Sequence, residues 1–505
     1  MSWIFLALGL AAAVPAALRF LRVAQREHYL TGSTMRFGVR WWTGTGAANL
    51  ILAVIGIGGL AGSPWWEPLV LLPIVSAIFG PRGLTIKGVT APLHWTGRLR
   101  RLAGIVGFGA VVIVAVGFLV DGMAISGAVV ALLMPLLIDL GLVVAAPVEA
   151  RMGQIWIDRA RAKLTEVAPR VVAITGSYGK TTTKEYLRIL ISGGRQTVVT
   201  PASFNNAMGL ARTINEHLTP GTDVFVAEMG TYGPGEIASL CSWIPPEVAV
   251  ITAIGPVHLE RFGTLERTLE AKSEILEGSA VAVLNVDDEL LADLADRQPD
   301  GRKVVRCSAS DTGADVCVLD GPEGQEVWVG GNRVSLLDPP VAFPSNVACA
   351  IGAALEMGLA PASIGGPLSG ADRPAHRQTL STSDLGFTII DDTYNSNPAG
   401  AAAGLRLLSE LGSGARRVLV TPGMVELGAA QGAANALMAT NAAEIATDIL
   451  IVGRTNRRSL LSGAGEGPAS VIVVESRPQA VEWVRANLGR GDVVLYENDL
   501  PDHYP

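Results

Sequence analysis

The run 171–185, VVAITGSYGKTTTKE, places a lysine and three threonines directly behind a glycine turn. A turn built from Gly176, Ser177, Tyr178 and Gly179 points backbone N–H groups at an anion, and a helix opening behind it adds positive potential. Lys180 can reach β- and γ-phosphates, the Thr181 hydroxyl can ligate Mg2+, and Thr182 completes the motif. The chemistry expected is binding of a nucleoside triphosphate. The spacing is shorter than the standard phosphate loop, because Ile174 stands where its first glycine would be; what remains is G-x-x-G-K-T-T.

Two further groups sit where strand-like runs end. Glu228 closes one such run in AEMGTYGPGEI, and a carboxylate beside a phosphate loop suits Mg2+. His258, in AIGPVHLERFGT, follows the next run and reads equally as a metal ligand or as a capping or core histidine. Lys272, in LEAKSEIL, reads by periodicity alone as a solvated helix lysine.

These positions require an alternating α/β frame, because chemistry in open sheets collects at the carboxyl ends of strands. Runs 171–175, 223–229, 248–254 and 280–286 predict buried parallel strands with helices between them. Residues 303–337 carry short β-like runs without helices and predict a small antiparallel excursion. A helix is expected over 346–357. From Gly386 a second alternation begins (GFTIIDD, RRVLVT, DILIVG, SVIVVES, GDVVLYEN), which predicts a second doubly wound domain. The expected division is an α-helical membrane domain over 1–150, an ATP-binding α/β domain over 151–384 and a Rossmann-like domain over 385–505.

The amino-terminal third supplies the mean hydropathy of +0.38. Apolar stretches at 3–20, 45–62, 65–79, 102–120 and 124–146 approach the ~20 residues that cross a bilayer, which predicts about five helices and the lipid bilayer as a partner. A cleaved signal peptide fits badly, since Met1–Phe5 carries no charge and four more apolar stretches follow. Arg22, Arg26, Arg36 and Arg40 follow the first stretch, and Arg82, Lys87, Arg98, Arg100 and Arg101 follow the third. The loops around Glu67 and Asp121 hold no basic residue. The positive-inside rule then sets the amino terminus outside and everything after Ala150 in the cytoplasm, a multi-pass protein of the inner or plasma membrane. Trp65 and Trp66 suit an interfacial belt. Asp139, inside the fifth stretch, reads either as a polar contact in a substrate groove or as a helix–helix hydrogen bond.

The 505 residues carry a net charge of −7, which speaks against nucleic acid as a partner. Cys241, Cys307, Cys317 and Cys349 lack CxxC spacing, so neither a zinc site nor a disulfide framework is supported.

TGSYGKTTTKE, SFNNAMGLARTINE, AEMGTYGPGEI, PVHLERFGT, AKSEI, LNVDD and IIDDTYNSNP follow one another in an order that resembles the Mur ligase family, nearest its D-alanyl-D-alanine-adding branch, over about residues 170–500. The resemblance implies an ATP-dependent, ADP-forming amide ligase of cell-wall precursor synthesis. ATP phosphorylates a carboxylate, an amine attacks the acyl phosphate, and phosphate leaves. It further implies that Gly176–Thr181 cradles the triphosphate, that Thr181 and Glu228 hold one Mg2+, and that His258 and Lys272 belong to a second site, with Lys272 carrying CO2 as a carbamate. Asn205 and Asn206 are implied on the acceptor side and Asn346 at the adenine. Arg377 is implied at the phosphates. Asp391 or Asp392, with Tyr394, Asn395 and Asn397, forms the implied carboxyl-domain motif.

Departures from the family fall at the substrate end. Soluble Mur ligases grip the UDP part of their substrate with an amino-terminal domain, where this sequence has apolar stretches. Gly423 in TPGMVELG stands at the family's aspartate, Asn435 at a histidine, and the last strand ends LYENDLPDHYP instead of lysine-glycine-serine. The expected partners are a lipid-linked or nucleotide-linked envelope precursor and an amino acid or dipeptide. Two other readings are a poly-γ-glutamate-synthase-like ligase and an envelope transport or assembly subunit using the core as an ATP switch. Retention of Lys180, Glu228, His258 and Lys272 favours the enzyme.

Overall fold

A computed structural model describes every residue except 45, 87–91, 202–203, 258, 322, 370, 372–375, 395, 413, 466, 501–503 and 505. The chain forms two compact units, one built on Met1–Gly153 and one on Gln154–Asp499.

The first unit is helical: α1 Ser2–Arg26, α2 Ser33–Gly44, α3 Ala47–Gly62, α4 Leu71–Phe79, α5 Gly97–Leu119, α6 Met123–Leu132 and α7 Met134–Val167, which runs on into the second unit. Among the described residues, α1 and α5 are each long and apolar enough to cross a membrane. The expectation of about five spans, of which 65–79 is the shortest, needs correction. Segment 65–79 opens as a 3-10 turn at Glu67–Val70, with Pro68 in it, and leaves only nine residues for α4. Stretch 124–146 is broken between α6 and α7, which meet at 76°. Pro135, in the first turn of α7, has no N–H to continue the preceding helix. Counting each bent pair as one span gives at most four.

Glycines bring α1 and α6 into contact: a Cβ on Gly9 would lie 2.4 Å from the Gly127 carbonyl carbon. Ser2 donates to Glu67 at 2.5 Å. Further along α1, Arg19 donates to the carbonyls of Ala77, Ile78 and Gly80. Asn49 and Arg82 exchange hydrogen bonds of 2.7 and 3.2 Å, so the α3–α4 hairpin starts and finishes at one place. Asp139 is buried and accepts from the N–H groups of Thr34 and Met35 (3.3 and 2.7 Å), capping α2. The helix–helix reading of that residue is the one that forms.

The second unit holds two sheets. The strands of the first are β1 Arg170–Thr175, β2 Thr197–Val199, β3 Val224–Glu228, β4 Val248–Ile251, β5 Val281–Asn285, β6 Lys303–Ser308, β7 Val316–Gly321, β8 Gly324–Val329 and β9 Asn332–Leu337. Their order is β2-β3-β1-β4-β5-β6-β7-β8-β9. β1 to β5 coincide with the four predicted runs plus one short edge. The 303–337 segment is no separate excursion: β6 and β7 continue the sheet in parallel, and only β7, β8 and β9 pair antiparallel. The helix expected over 346–357 forms at Pro344–Glu356. α8 Lys180–Ile191 and α9 Ala207–His217 pack the two faces, the first against Val172, Ile174 and Ala350, the second against Phe225 and Leu164.

The second sheet has strands β10 Thr379–Thr382, β11 Thr388–Asp392, β12 Arg417–Thr421, β13 Asp448–Val452, β14 Ser470–Val474 and β15 Val493–Glu497, in the order β10-β11-β15-β12-β13-β14. The five predicted strands are all present. β10 pairs antiparallel with β11, so this sheet starts before the expected boundary at 385. The four cysteines are free and buried.

Candidate nucleotide and ligation site

β1 lies between β3 and β4, where strand order reverses, and the loop 176–179 leaves from its carboxyl end. Gly179 has φ +85°, a left-handed conformation that glycine adopts without strain, and a Cβ there would sit 2.3 Å from the Asn346 side-chain oxygen. The loop is fastened from beneath. Ser177 N–H donates to the Ala253 carbonyl (2.8 Å), and Gly255 N–H donates to Ser177 Oγ (3.0 Å). The Tyr178 ring rests against Gly255. Asn285 and Asp288, two of the three polar residues of LNVDD, hold this same ledge through the Thr252 carbonyl and the Ile254 N–H.

Lys180 folds back over the loop, its Nζ donating to the Gly176 and Ser177 carbonyls at 2.7 and 3.3 Å. Burial depresses its pKa; Arg377 adds to that and Glu228 opposes it. Thr181 Oγ1 donates to Glu228 Oε2 at 3.0 Å, so the two residues expected at one Mg2+ lie together. Asn205 Nδ2 reaches the other Glu228 oxygen at 3.3 Å. The Glu228 carboxylate is also held by Lys184 Nζ at 3.1 Å, with both side chains buried. Lys184 was not expected in the site. Its spacing from Lys180 (i, i+4) puts both lysines on one face of α8, and that is the signal in the sequence.

Lys272, on the helix Leu265–Ser273, is 3% exposed and is not the solvated lysine that periodicity suggests. Burial, reinforced by the charge of Lys180, holds its pKa well below the usual lysine value. His258 and Asn395 lie outside the described residues.

Two of the expected acceptor residues act as helix caps. Asn206 Oδ1 accepts from Gly209 N–H (2.9 Å) at the start of α9, and Asn397 Oδ1 accepts from Gly400 N–H (3.0 Å) at the helix Pro398–Leu411. Proline directly after Asn397 is a sequence sign of such a helix start.

Beside the second sheet, Arg377 lies over the Tyr394 ring at 4.7 Å. His376 Nδ1 is 2.7 Å from Asp391, which also accepts from Thr393. Burial pushes Asp392 up to about 6, against hydrogen bonding from Gln378 and the charge of Arg377. Glu497, on β15, is buried between the hydroxyls of Ser396 and Thr421 and is pushed up to about 7 by that burial, with Asp392 adding to it. Asn435 brackets Met424, accepting from its N–H and donating to its carbonyl.

The oxygen donors at Glu228, Thr181 and Asn205 suit a hard cation such as Mg2+. Among the described residues no three His, Cys, Asp or Glu side chains form a cage. A Mg2+ ion held at Glu228 would share its remaining positions with phosphate oxygens and water.

A phosphate loop at the reversal point of the parallel part of one sheet, with an arginine just ahead of a second sheet lowering the pKa of its lysine, defines a nucleotide-dependent enzyme of two α/β domains. A model of the Mur ligase middle domain matches residues 174–333, and a model described as Mur ligase, glutamate ligase domain, matches 376–496. The UDP-N-acetylmuramoyl-tripeptide–D-alanyl-D-alanine ligase of Mycobacterium leprae is 30% identical over 371 residues, covering 64% of this chain and 70% of that one. The enzyme of the same name from Escherichia coli is 30% identical over 352 residues, 66% of this chain and 74% of its own. The structure of Thermotoga maritima MurF ligase in complex with ADP superposes with a TM-score of 0.58 at 26% identity, over 69% of this chain and 80% of that one. The chain belongs to the Mur ligase family. It is accordingly an ATP-dependent, ADP-forming amide ligase.

Proposed function

We propose that this ligase joins an amine, on an amino acid or a dipeptide such as D-alanyl-D-alanine, to the peptide carboxylate of a muramoyl-type envelope precursor, at the cytoplasmic face of the plasma membrane. The observation that carries the chemistry is the convergence of Thr181, Lys184 and Asn205 on the buried Glu228 carboxylate, directly behind the phosphate loop.

The residues support a division of labour. Loop N–H groups from 176–180 and the N-terminus of α8 hold the triphosphate. Lys180 and Arg377 bring positive charge to the transferring phosphoryl group and offset its repulsion with an incoming carboxylate. Thr181 and Glu228 would hold Mg2+, which neutralises phosphate charge as it builds. A second ion is proposed at Lys272 and His258. Burial, with the charge of Lys180 adding to it, lowers the Lys272 pKa and so favours the neutral amine, the form that adds CO2 to become a carbamate ligand. Asn205, at the open side of Glu228, orients the carboxylate that is to be phosphorylated. The amine then attacks the acyl phosphate, and the tetrahedral intermediate expels phosphate.

For the membrane, the support is α1 and α5, apolar over 25 and 23 residues. The α3–α4 hairpin returns to its starting side, as the Asn49–Arg82 bonds require. With α1, α5 and the bent α6–α7 pair as the spans, the crossings number three: α1 inward, α5 outward, α6–α7 inward. The amino terminus is then external and the ligase cytoplasmic, with the basic residues inside. The precursor is carried on a nucleotide or on a lipid.

The test is phosphate release by the full chain in lipid nanodiscs, given ATP, Mg2+, a muramoyl tripeptide and D-alanyl-D-alanine. ADP and phosphate should form only when both co-substrates are supplied. Formation of AMP and pyrophosphate would overturn the acyl-phosphate route.

A further inference from the structure

We infer that a groove between α5 and α7 holds one chain of an anionic phospholipid, whose phosphate sits on the arginines that open α5. This rests on the membrane reading given above. Leu99, Leu102 and Val106 turn one face of α5 into the first unit, where they are buried. Gly141 lets α7 come close there, since a Cβ on it would lie 3.1 Å from both the Leu102 and the Val106 side chains. Beside that contact the two helices leave a groove of about 460 Å3. Gly104, Ile105, Phe108, Val144 and Val148 line it, and Arg101 and Glu149 stand at one end.

The walls are apolar and open. Phe108, Val144 and Val148 are each more than half exposed, and a Cβ on Gly104 would meet nothing within 4 Å. From Arg101 to Phe108 the helix rises about 10 Å. That is about two-thirds of the hydrocarbon depth of one leaflet, roughly 15 Å. A groove of this length takes the part of an acyl chain nearest its head group. The charges lie where such a head group would be. α5 is uncharged over 102–119 and α7 over 140–148, so Arg101 and Glu149 bound the apolar run on each helix. Trp95, exposed just ahead of α5, suits the same interfacial layer.

The arginines at this end outnumber the carboxylate. Arg101 spends its fork on Glu149, with Nε and Nη2 donating to the two oxygens at 2.6 and 2.9 Å. Arg98 Nε stays 3.8 Å from the same carboxylate and makes no hydrogen bond among the described residues. Its guanidinium lies 4.2 Å from the Tyr29 ring centre, which supports the charge without cancelling it. Arg100 is exposed and has no ion pair among the described residues. Three arginines against one glutamate leave surplus positive charge, and the first turn of α5 adds its dipole. A phosphodiester with net negative charge matches that surplus. A zwitterionic head group brings an ammonium that Arg98 and Arg100 repel.

The experiment places the full chain in nanodiscs of equal parts phosphatidylcholine and phosphatidylglycerol, and native mass spectrometry then weighs the lipids that stay bound. Phosphatidylglycerol should be retained about 10-fold over phosphatidylcholine. Gly104→Leu fills the groove without a clash and should lower retention of both lipids about 10-fold. Gly107→Leu is the control: a Cβ there also meets nothing within 4 Å, but Gly107 does not line the groove, and retention should be unchanged. Arg98→Gln with Arg100→Gln should bring the two lipids level. Millimolar glycerol phosphate should displace neither, which separates a lipid from a free phosphate. Equal retention of both lipids by the wild type, wild-type retention by Gly104→Leu, or displacement by glycerol phosphate overturns the groove assignment. So does a lipid-free wild-type dimer that Gly104→Leu turns into a monomer, which gives the groove to a second copy of the chain. Each of these leaves the membrane reading intact. A chain that stays monodisperse in water with neither lipid nor detergent overturns the membrane reading and the groove assignment together.

Discussion

The Lys184 ammonium lies 3.1 Å from the Glu228 carboxylate, and both side chains are out of contact with water. Removing one partner of such a pair leaves an uncompensated charge inside the protein, at a cost of about 3–5 kcal/mol. Lys184→Met should therefore lower the unfolding temperature by several degrees, while the double variant Lys184→Met/Glu228→Gln should recover part of it. Glu228→Gln alone should reduce ATP turnover at least ~100-fold, an effect on the order of removing one transition-state contact. Differential scanning calorimetry and phosphate release check the two halves. Equal unfolding temperatures for the single and double lysine variants would refute the pairing.

Gly179 meets two constraints at once, its positive φ and the nearby Asn346 side-chain oxygen. Gly179→Ala should raise KM for ATP about 10-fold or more through backbone strain and the clash, since an L residue is disfavoured there by roughly 1 kcal/mol or more. Asn346→Gly relieves the clash but also removes the side chain expected at the adenine, so the double variant is compared with Asn346→Gly alone and should bind ATP more weakly because the backbone strain remains. Equal affinity of these two variants would show that the backbone conformation is unimportant.

Lys272→Ala should lose most ligase activity, and short carboxylates such as acetate should restore part of it by supplying the oxygen ligands that a carbamate provides. Carbon-13 NMR of the wild-type protein in labelled bicarbonate should show a carbamate resonance that the variant lacks. A wild-type spectrum without that resonance at saturating bicarbonate contradicts the proposed ligand.

Glu497 makes the carboxyl-terminal sheet sensitive to pH. Its folded-state pKa of about 7 lies above the ordinary value of 4.5 because burial disfavours the charge. The folded state thus holds a proton that the unfolded state has released, and stability falls as pH rises from about 4.5 through about 7. The full difference corresponds to about 3 kcal/mol. Wild type should unfold at a higher temperature at pH 5.5 than at pH 8, and Glu497→Gln should flatten that dependence and stabilise the protein at pH 8. A wild-type profile that rises toward pH 8 would exclude a buried neutral Glu497.

A reporter fused after Gly122 should behave as external and one fused after Pro505 as cytoplasmic. Because the α3–α4 hairpin closes on itself at Asn49 and Arg82, a reporter placed after Arg82 should match the cytoplasmic one. Finding the Gly122 and Pro505 reporters on one side removes the odd-crossing arrangement.

Much of the site is readable from local chemistry. The β-branched run into Gly176 and the Lys180–Thr181 pair announce a phosphate loop because strand, turn and helix N-terminus each leave a residue signature. Glu228 is readable because it ends a strand. Less legible is whatever depends on distant partners. Lys184 and Lys272 look solvated along their helices, and only tertiary packing buries them. Asn206 and Asn397 enter the expected site through the family resemblance alone, which says nothing of the helix starts that they cap. The strand β10, TLST, is too short and polar to register without the β11 edge that it pairs with. In the first unit, Pro68 and Pro135 signal the interruptions that shorten the apolar stretches, a message that a hydropathy window averages away.

Arg377 is carried by the chain just ahead of the second sheet, yet its charge is felt at Lys180 in the first. On the proposed roles of Lys180 and Arg377, the positive charge that meets the triphosphate is drawn from two sheets of one unit. ATP held by the phosphate loop without Arg377 would meet an incomplete set of charges, and its idle hydrolysis by water should be slow. A variant that loosens the 376–379 junction should then slow turnover without touching a single residue of the phosphate loop.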